Sequence, residues 1–485
     1  MSSDCLRVLR VAADEVPDFE LDDDALATFV FPAEVDDFVE TTFAKSCLAV
    51  IGKDKKAAKR MAGRVQSIQE ALGGGDLRTL MQHSASEQIH VWFGSRSFTV
   101  EDVDAALACY ENGASLYFRA PAELEHLLCH SLSAECGIPT LLQDPRAEIE
   151  VFASRKGHTT TWHWDFQHNF TYQLSGCKRW QLRQSRVPNA LRGATPHFRD
   201  TGVVEEQAKL HVSLDADFAL AEAASMAPQA EVELHAGACL HFPAGLWHQV
   251  ECLEDSLSIN VSIVPRSAAS LVSRAVGHVA AASPTLRAPV TSVAALEQAL
   301  EETRTLLSEV RATDLLPPVL QADTCLVARD VDSNTMHFKL DLACFSLSEA
   351  THLRVAALDE MRVNPLQVLL TQKDVSAEEP LMWPRDDDAC DDEDSNDDTD
   401  ETDYEVFVLH HCFRGSPAEA LSSEARIVLR VPSENAAVMH AVAYLARRDK
   451  HVSRAELRRL AGADSNMAID TVIGACLYLG LLGEK

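Results

Sequence analysis

This sequence of 485 residues lacks paired cysteines, long apolar runs and stripes of positive charge. The 13 cysteines form no C-x-x-C pair and several lie among apolar neighbours, which favours a reducing compartment. No run of about 20 apolar residues is present to cross a membrane, and the first residues lack the basic flank and apolar core of a secretion signal. We therefore expect a cytoplasmic or nuclear protein without a membrane partner.

The negative charge of the chain is concentrated in one segment. Of the formal net charge of −31, much comes from 13 acidic residues between Asp386 and Glu405, where no basic residue occurs. Such a segment buries too little apolar surface to fold, so residues 386–403 are predicted to be a disordered acidic linker. Because nucleic-acid binding relies on neutralising phosphates, this composition argues against direct nucleic-acid binding and favours protein or small-molecule partners.

The apolar patterning divides the rest of the chain into regions of different structure. Short β-rich runs between residues 114 and 264 indicate a sandwich or small barrel, whereas helical periodicity returns after Pro265. A capping box at Ser453 and Glu456 marks one of three short helices near the C-terminus. We predict an α+β protein with these regions: 1–113, mixed α/β; 114–282, a β-rich catalytic domain; 283–385, helical; 386–403, the linker; 404–485, a winged-helix-like module.

Three side chains in the β-rich region are candidate metal ligands. His163 and Asp165 are two positions apart, so on a strand they share one face, and His248 follows a Pro-Ala-Gly turn in a second hairpin. Two imidazoles and one carboxylate form the set that holds Fe(II) with three positions open. A lone H-x-D is more often a hydrogen-bonded polar pair, and His248 alone is equally consistent with a core histidine.

Lys178 is the candidate anion-binding residue. After the turn at Ser175 and Gly176, Lys178 shares an apolar, inward face with Trp180 and Leu182. A buried ammonium needs an opposite charge, so this position predicts a protein carboxylate or a bound one. The alternative is that Lys178 extends to water from the turn. A dicarboxylate that chelates iron at one end and pairs with Lys178 at the other accounts for both features.

The span from about 114 to 264 resembles the JmjC domain of the cupin superfamily, which implies a double-stranded β-helix and Fe(II)- and 2-oxoglutarate-dependent oxygenase chemistry with dioxygen. The resemblance rests on "HWD", "GCKRW", "FPAGLWH" and "SLSINVS". It implies His163, Asp165 and His248 as metal ligands and Lys178 as the partner of the distal 2-oxoglutarate carboxylate. The asparaginyl-hydroxylase branch implies Thr160 and Asn169 as further co-substrate residues, and Asn260 matches a late-strand asparagine of the family that lines the same pocket. Tyr117 is a weaker candidate for a co-substrate contact.

The layout of the whole chain resembles the ribosomal-oxygenase group of that family, which implies hydroxylation of a protein side chain and a helical dimerisation region. A ribosomal protein or a histone is the candidate substrate. A stripe of Leu296, Leu300, Leu307 and Val310 fits a homodimer interface. The alternatives are lysine N-demethylation, a non-catalytic cupin-fold binding protein, and a cupin enzyme without a keto acid. An insertion at 188–232 and the acidic linker depart from the pattern.

Several other residues are interpreted as structural. His168 and His241 are expected beside the ligands or on the surface, the tryptophans at 162, 164, 180 and 247 in the core, and the basic residues of "KDKKAAKRMAGRVQSIQEAL" on a solvated helix. His158 and His235 lie near the ligands in sequence without an assigned role. The basic cluster from Arg447 to Arg459 precedes the last helix, so it does not fit a groove-reading helix.

Overall fold

The structure is a computed structural model that describes residues 5–17, 25–71, 76–86, 88–93, 96–138, 147–194, 226–316, 318, 327–330, 335–343, 345–375, 381, 404–411, 425–462 and 466–485. The predicted linker at 386–403 and most of the 188–232 insertion lie outside these residues. The chain divides into two compact units, Met1–Arg266 and Ser267–Lys485. Within the described residues, no helix is long and apolar enough to span a bilayer.

The first unit contains twelve described strands and seven described α-helices. The strands are β1 (Leu6–Val11), β2 (Cys47–Gly52), β3 (Ile89–Phe93), β4 (Arg96–Val100), β5 (Ser115–Arg119), β6 (Glu148–Ser154), β7 (His168–Ser175), β8 (Cys177–Arg183), β9 (Ala230–His235), β10 (Cys239–Phe242), β11 (Trp247–Cys252) and β12 (Ser256–Ile263). The helices are α1 (Ala25–Val30), α2 (Val35–Thr41), α3 (Lys55–Met61), α4 (Gln66–Ala71), α5 (Leu77–Gln82), α6 (Val103–Glu111) and α7 (Ala122–Glu135).

Two sheets face each other across the core of the first unit. The large sheet has nine strands in the order β1-β2-β10-β7-β12-β6-β5-β3-β4, and the small sheet has the order β11-β8-β9. Leu240 and Phe242 of the large sheet pack against Trp180, Leu182 and Leu234 of the small sheet. Strands β1 to β4 place residues from the predicted N-terminal region in the same sheet as the β-rich region, and the predicted domain boundaries stay predictions.

Two glycines fix turns that precede candidate site residues. Gly176, between β7 and β8, has φ +69°, and a Cβ there would lie 2.2 Å from the Asp255 carbonyl oxygen. Gly245, before β11, has φ +84°, and a Cβ would lie 2.4 Å from the Val187 oxygen. A side chain at either position is excluded by backbone contact, so glycine is required for the turns that lead to Lys178 and His248.

The predicted basic helix at residues 53–72 is interrupted. The chain forms α3, then the 3₁₀-helix Ala62–Val65, then α4. Arg64 lies in this interruption, and it is buried instead of solvated: its guanidinium donates to the carbonyls of Phe29 at 3.3 Å and Phe31 at 3.1 Å. The prediction of a fully solvated basic face was therefore wrong at Arg64, because its guanidinium satisfies backbone groups at the end of α1.

The second unit contains eight described strands and eight described α-helices. The strands are β13 (Val327–Asp330), β14 (Thr335–Asp341), β15 (Glu360–Val363), β16 (Gln367–Leu370), β17 (Tyr404–His411), β18 (Ala425–Pro432), β19 (His451–Ser453) and β20 (Leu482–Glu484). The helices are α8 (Ala268–Ala282), α9 (Pro284–Arg287), α10 (Val293–Ser308), α11 (Ala312–Leu315), α12 (Glu349–Ala356), α13 (Ser433–Ala446), α14 (Arg454–Ala461) and α15 (Asn466–Tyr478).

Two sheets organise the second unit, with orders β13-β14-β18-β17-β16 and β19-β15-β20. Ser453 caps the start of α14: its hydroxyl accepts from the Glu456 amide at 3.2 Å and donates to the Glu456 carboxylate at 2.7 Å. The two side chains of the predicted capping box therefore meet through the hydroxyl. Helices α13 to α15 lie close to the predicted positions. Strand β15, which precedes the acidic linker, pairs with both β19 and β20, so this small sheet extends beyond the predicted module at 404–485.

The apolar stripe on α10 is divided between a packed and an exposed half. Leu307 packs, together with Leu306 and Val310, against a core of Ala275, Val279 and Leu366. Leu296 and Leu300 are 44% and 48% exposed. Only the N-terminal half of the predicted stripe is therefore available on the surface of this unit.

Candidate metal centre

The structure brings the three predicted metal ligands together. His163 and His248 form an isolated antiparallel bridge, with backbone hydrogen bonds of 3.1 and 2.8 Å. Asp165 follows two residues later, and its Oδ2 lies 3.6 Å from His248 Nε2. One potential ligand atom from each residue lies within 4.8 Å of the other two. His163 and Asp165 lie just before β7 instead of on a continuous strand. The bridge between His163 and His248 of β11 therefore holds the two histidines in place.

Backbone carbonyls orient both imidazoles. His163 Nδ1 lies 2.8 Å from the Thr161 oxygen, and His248 Nδ1 lies 3.0 Å from the Leu246 oxygen. A carbonyl oxygen only accepts hydrogen bonds, so each Nδ1 carries the proton and each Nε2 keeps its lone pair for a metal. Trp180 and Phe242 pack against the His248 ring at centroid distances of 5.7 and 4.8 Å, and against each other at 5.5 Å. This donor set fits Fe(II).

Asn169 and Asn260 connect the candidate ligand Asp165 to the floor of the pocket. Asn169 Nδ2 donates to Asp165 Oδ2 at 3.3 Å. Its Oδ1 accepts from Asn260 Nδ2 at 2.8 Å and from Ser262 Oγ at 2.9 Å. Asn260 Oδ1 accepts from Thr171 at 2.8 Å. The network fixes which way the Asn169 amide points, so its NH₂ group faces the carboxylate that would bind a metal.

Sequence reasoning missed Glu150, which lies in this network. Its Oε1 accepts from the Tyr117 hydroxyl at 3.1 Å, and its Oε2 accepts from Asn260 at 2.9 Å. Oε2 also lies 3.0 Å from the Ser262 hydroxyl, whose single proton is shared between Glu150 and Asn169. Burial, followed by repulsion from Asp165 and Glu148, raises the pKa of Glu150 to about 7. The sequence did contain a signal for Glu150: in "EIEVF" of β6, charged and apolar residues alternate, which places a charge on one face of the strand. Lys178 on β8 was recognised from the same kind of alternation.

Lys178 is buried in the same half of the fold with no carboxylate partner. It is 4% exposed, as its predicted inward position required. Its Nζ donates to Ser258 Oγ at 2.7 Å and lies 5.3 Å from the centre of the Phe152 ring. Within the described residues, no carboxylate forms an ion pair with this ammonium. Burial lowers the pKa of Lys178 to about 8, which places the charged form in an unfavourable site unless an anion binds.

Thr160 holds the strand that carries His248. Its hydroxyl accepts from the Val250 amide at 2.9 Å, and its own amide donates to the Val250 oxygen at 2.9 Å. The hydroxyl proton is still available to a ligand, because a hydroxyl donates once as well as accepting. His158 lies nearby, half-buried, and burial together with the charge of Lys178 lowers its pKa to about 4.

His168 and His241 are buried, so the surface alternative given for them in the sequence analysis was wrong. Both belong to an aromatic cluster in which His241 lies 5.1 Å from Phe38 and 4.8 Å from Phe170, and His168 lies 5.2 Å from Phe43. Burial lowers the pKa of His168 to about 4 and that of His241 to about 3, so both are neutral near pH 7. Phe38 and Phe43 come from α2 and the turn after it, which cover this face of the sheet.

The tryptophans are core residues, as predicted. Trp162, Trp164 and Trp247 form one buried cluster with Ala190 and Met226, and Trp180 lies between the two sheets.

Comparison with known proteins places this site in a cupin-like domain: residues 65–263 match the family model of that description. The chain therefore contains a cupin-like domain, and the predicted α+β cupin fold is confirmed. Ribosomal oxygenase 1 of Gallus gallus is 28% identical over 161 residues, which are 32% of this chain. The aligned part spans 22% of that relative, about a fifth of its length, and it confirms the predicted resemblance to ribosomal oxygenases.

Solved structures of the Escherichia coli ribosomal oxygenase YcfD are also similar. One superposes with a TM-score of 0.38 at 11% identity and covers 94% of this chain and 98% of YcfD. YcfD in complex with cobalt and succinic acid superposes with a TM-score of 0.35 at 11% identity, over 93% and 98% of the two chains.

Proposed function

We propose that this protein is an Fe(II)- and 2-oxoglutarate-dependent dioxygenase that hydroxylates a protein side chain. One observation carries the proposal: within the described residues, a buried ammonium that pairs with no protein carboxylate accompanies a two-histidine, one-carboxylate donor set. On β12, Ser258 contacts Lys178, and Asn260, the next inward residue, belongs to the network that reaches Asp165. Two residues along a strand span about 7 Å, an interval that suits a short dicarboxylate.

Each residue of the proposed site has a separate role in binding the metal or the co-substrate. His163, Asp165 and His248 would hold the metal through Nε2, a carboxylate oxygen and Nε2. Lys178 would pair with the distal carboxylate of 2-oxoglutarate, while Ser258 orients the ammonium. Thr160 would donate its hydroxyl proton to the co-substrate, and Asn169 and Asn260 would line its metal-proximal side. Iron, 2-oxoglutarate and dioxygen together supply an oxidant that inserts one oxygen atom into substrate, with succinate and carbon dioxide as by-products.

A ribosomal protein is the substrate that we favour, because the curated relative is named as a ribosomal oxygenase. A histone or another lysine-containing protein is the competing substrate, through hydroxylation of an N-methyl group. A cupin-fold protein that only binds a ligand would not need three metal donors as well as an unpaired buried ammonium. A cupin enzyme without a keto acid would leave Lys178 without an anion.

Succinate release tests the chemistry. The full chain with iron, ascorbate and 2-oxoglutarate should release succinate, and His163→Ala or Asp165→Ala should reduce release to the level without protein, because two ligands hold Fe(II) too weakly beside a chelating co-substrate. Trp162→Phe, close to the ligands but in the core cluster, is a matched control that keeps all three donors. Near-normal succinate release by His248→Ala would contradict the metal assignment.

Mass spectrometry then identifies the product. Ribosomal proteins and histones from cells with and without the protein should differ by one oxygen atom on a single side chain. Loss of an N-methyl group, with no oxygen gained, would favour demethylation.

We also propose a homodimer in which the exposed half of the α10 stripe contacts its copy. Leu296 and Leu300 are exposed on the same face of the helix, and an isologous interface joins identical patches. Leu296→Asp with Leu300→Asp should convert a dimer to a monomer in light scattering without unfolding the chain. Glu301→Gln, which keeps the apolar face, is the control. A wild-type monomer at micromolar concentration would contradict the proposal.

A further inference from the structure

Cys177, Glu233 and His235 lie together on the outer face of the small sheet. In the antiparallel pairing of β8 with β9, Cys177 is opposite His235 and Arg179 is opposite Glu233. Residues two apart on a strand point to the same side, so these four side chains share a face. Lys178 points to the opposite face, into the pocket. The group is therefore separate from the candidate metal centre described above.

The three side chains approach each other closely enough to share an ion. Cys177 Sγ lies 3.9 Å from His235 Nε2. A sulfur, a nitrogen and a carboxylate oxygen from the three residues all lie within 4.8 Å of one another. Around a tetrahedral zinc ion, with Zn–S about 2.3 Å and Zn–N about 2.0 Å, the two donors lie about 3.5 Å apart. The Cys177 and His235 donors need to close by only a few tenths of an ångström, and the Glu233 carboxylate lies within reach of both.

The local charge also favours a cation. One guanidinium, that of Arg179, faces the carboxylates of Glu233 and Glu251 at 2.9 Å and of Glu231 at 3.5 Å. Arg179 contacts the Oε1 atom of Glu233, which leaves that carboxylate a second oxygen. The Glu254 amide lies 3.3 Å from the Cys177 carbonyl, which brings another acidic residue to this end of the strand. Negative charge exceeds positive charge here, and both Glu233 and His235 are exposed to an arriving ion.

We propose that Cys177, Glu233 and His235 form a second metal site, which binds a borderline-soft divalent cation such as Zn²⁺. Thiolate, imidazole and carboxylate are all ligands of zinc, and water completes the tetrahedron. The thiolate distinguishes this site from the His163–Asp165–His248 set, which contains no sulfur and suits Fe(II). The ion would join the start of β8 to the end of β9, beside Lys178. This second metal site does not depend on the proposed dioxygenase activity.

Cobalt(II) substitution tests the site on the full chain. Thiolate coordination to Co²⁺ gives a charge-transfer absorption in the near ultraviolet, and the sulfur-free donor set cannot produce it. We expect this absorption to saturate during a Co²⁺ titration, to disappear when Zn²⁺ is added, and to be absent in Cys177→Ser. His235→Ala should weaken Co²⁺ binding at this site by at least about tenfold, because it removes one of three protein ligands.

Two controls separate the site from its surroundings. Glu231→Gln changes a neighbouring carboxylate on the same face that is not a ligand, and it should leave the titration unchanged. Asp165→Ala should also keep the absorption, even if it abolishes iron binding. Since Cys177 is buried and its replacement could disturb folding, the exposed His235→Ala is the decisive variant. No absorption in the wild type, an absorption that persists in Cys177→Ser, or a wild-type titration by His235→Ala would each overturn the proposal.

Discussion

Buried positive charges have different partners in the two units of this protein. In the second unit, Arg362 pairs with Asp314 and Arg454 pairs with Asp470, so each buried guanidinium has a carboxylate from the protein. In the first unit, the buried Arg64 donates to the backbone carbonyls of Phe29 and Phe31. Lys178 is also deeply buried, and its partners are the Ser258 hydroxyl and the Phe152 ring. An unpaired buried charge costs free energy. The difference therefore assigns the arginine pairs to stability and leaves Lys178 available to a ligand.

The largest effect is expected where a paired cation is removed. Arg454→Met leaves Asp470 buried without its guanidinium and also removes the donor to the Leu358 carbonyl. Breaking a buried pair on one side costs about 3–5 kcal/mol, so the free energy of unfolding of the second unit should fall by that amount in denaturant titrations. Arg459→Met, at an exposed position on the same helix, should change it by less than about 0.5 kcal/mol. Equal stability of the two variants would show that the Arg454–Asp470 pair does not stabilise the second unit.

Removing Lys178 should have the opposite effect on stability. Burial lowers its pKa from 10.5 to about 8, so the charged form is disfavoured in the folded state. Lys178→Met removes that penalty without leaving a carboxylate behind, and it should leave the free energy of unfolding unchanged or raise it by up to about 3 kcal/mol. The measurement is denaturant unfolding without co-substrate at pH 7. A loss comparable to that of Arg454→Met would show that Lys178 has a structural partner.

The same variant should lose affinity for 2-oxoglutarate. A charge-assisted pair contributes about 1.5–3 kcal/mol, which corresponds to a tenfold or greater increase in Kd. Calorimetry on the metal-loaded chain measures the increase, and metal affinity itself should change little. Arg179→Met, the next residue but on the outer face, is the matched control and should bind 2-oxoglutarate like the wild type. Identical titrations for Lys178→Met and the wild type would exclude the lysine from co-substrate binding.

The smallest effect is a pH dependence. The ammonium of Lys178 is present below its pKa of about 8 and is lost above it, whereas an arginine stays charged throughout this range. The Kd for 2-oxoglutarate should therefore stay nearly constant below about pH 8 and then rise, until it reaches at most the Kd of Lys178→Met. The rise should be absent in Lys178→Met. A flat profile to pH 10 in the wild type would indicate that the ammonium is not the anion partner.

The residues that sequence reasoning found share a local signal. The spacing of His163 and Asp165, the turn before His248 and the strand alternation around Lys178 are all readable within about twenty residues. Glu150 was missed because its partners Asn260 and Tyr117 reach it only through the pairing of β6 with β12 and β5. The surface alternative for His168 and His241 was wrong for a similar reason: these residues are covered by Phe38 and Phe43, more than a hundred residues earlier.

The helical predictions show the same limit. Positions of α13 to α15 follow from local capping and periodicity, whereas the interruption at Arg64 depends on carbonyls of Phe29 and Phe31. The predicted dimer stripe on α10 was continuous in sequence, yet Leu307 and Val310 pack against the core cluster of Ala275, Val279 and Leu366. Local patterns predict which face is apolar but not which tertiary neighbour covers it.

The position of β2 in the large sheet has a consequence for synthesis and for truncation. Val50 of β2 pairs with Cys239 of β10, so this contact joins residues roughly 190 positions apart. A growing chain emerges with β2 unpaired on one side and completes the sheet only after β10 has been made. An N-terminal truncation that begins at residue 65, where the cupin-like match starts, would remove β2 and leave the edge of β10 open to pairing with other chains. Aggregation of that truncated protein is the expected result.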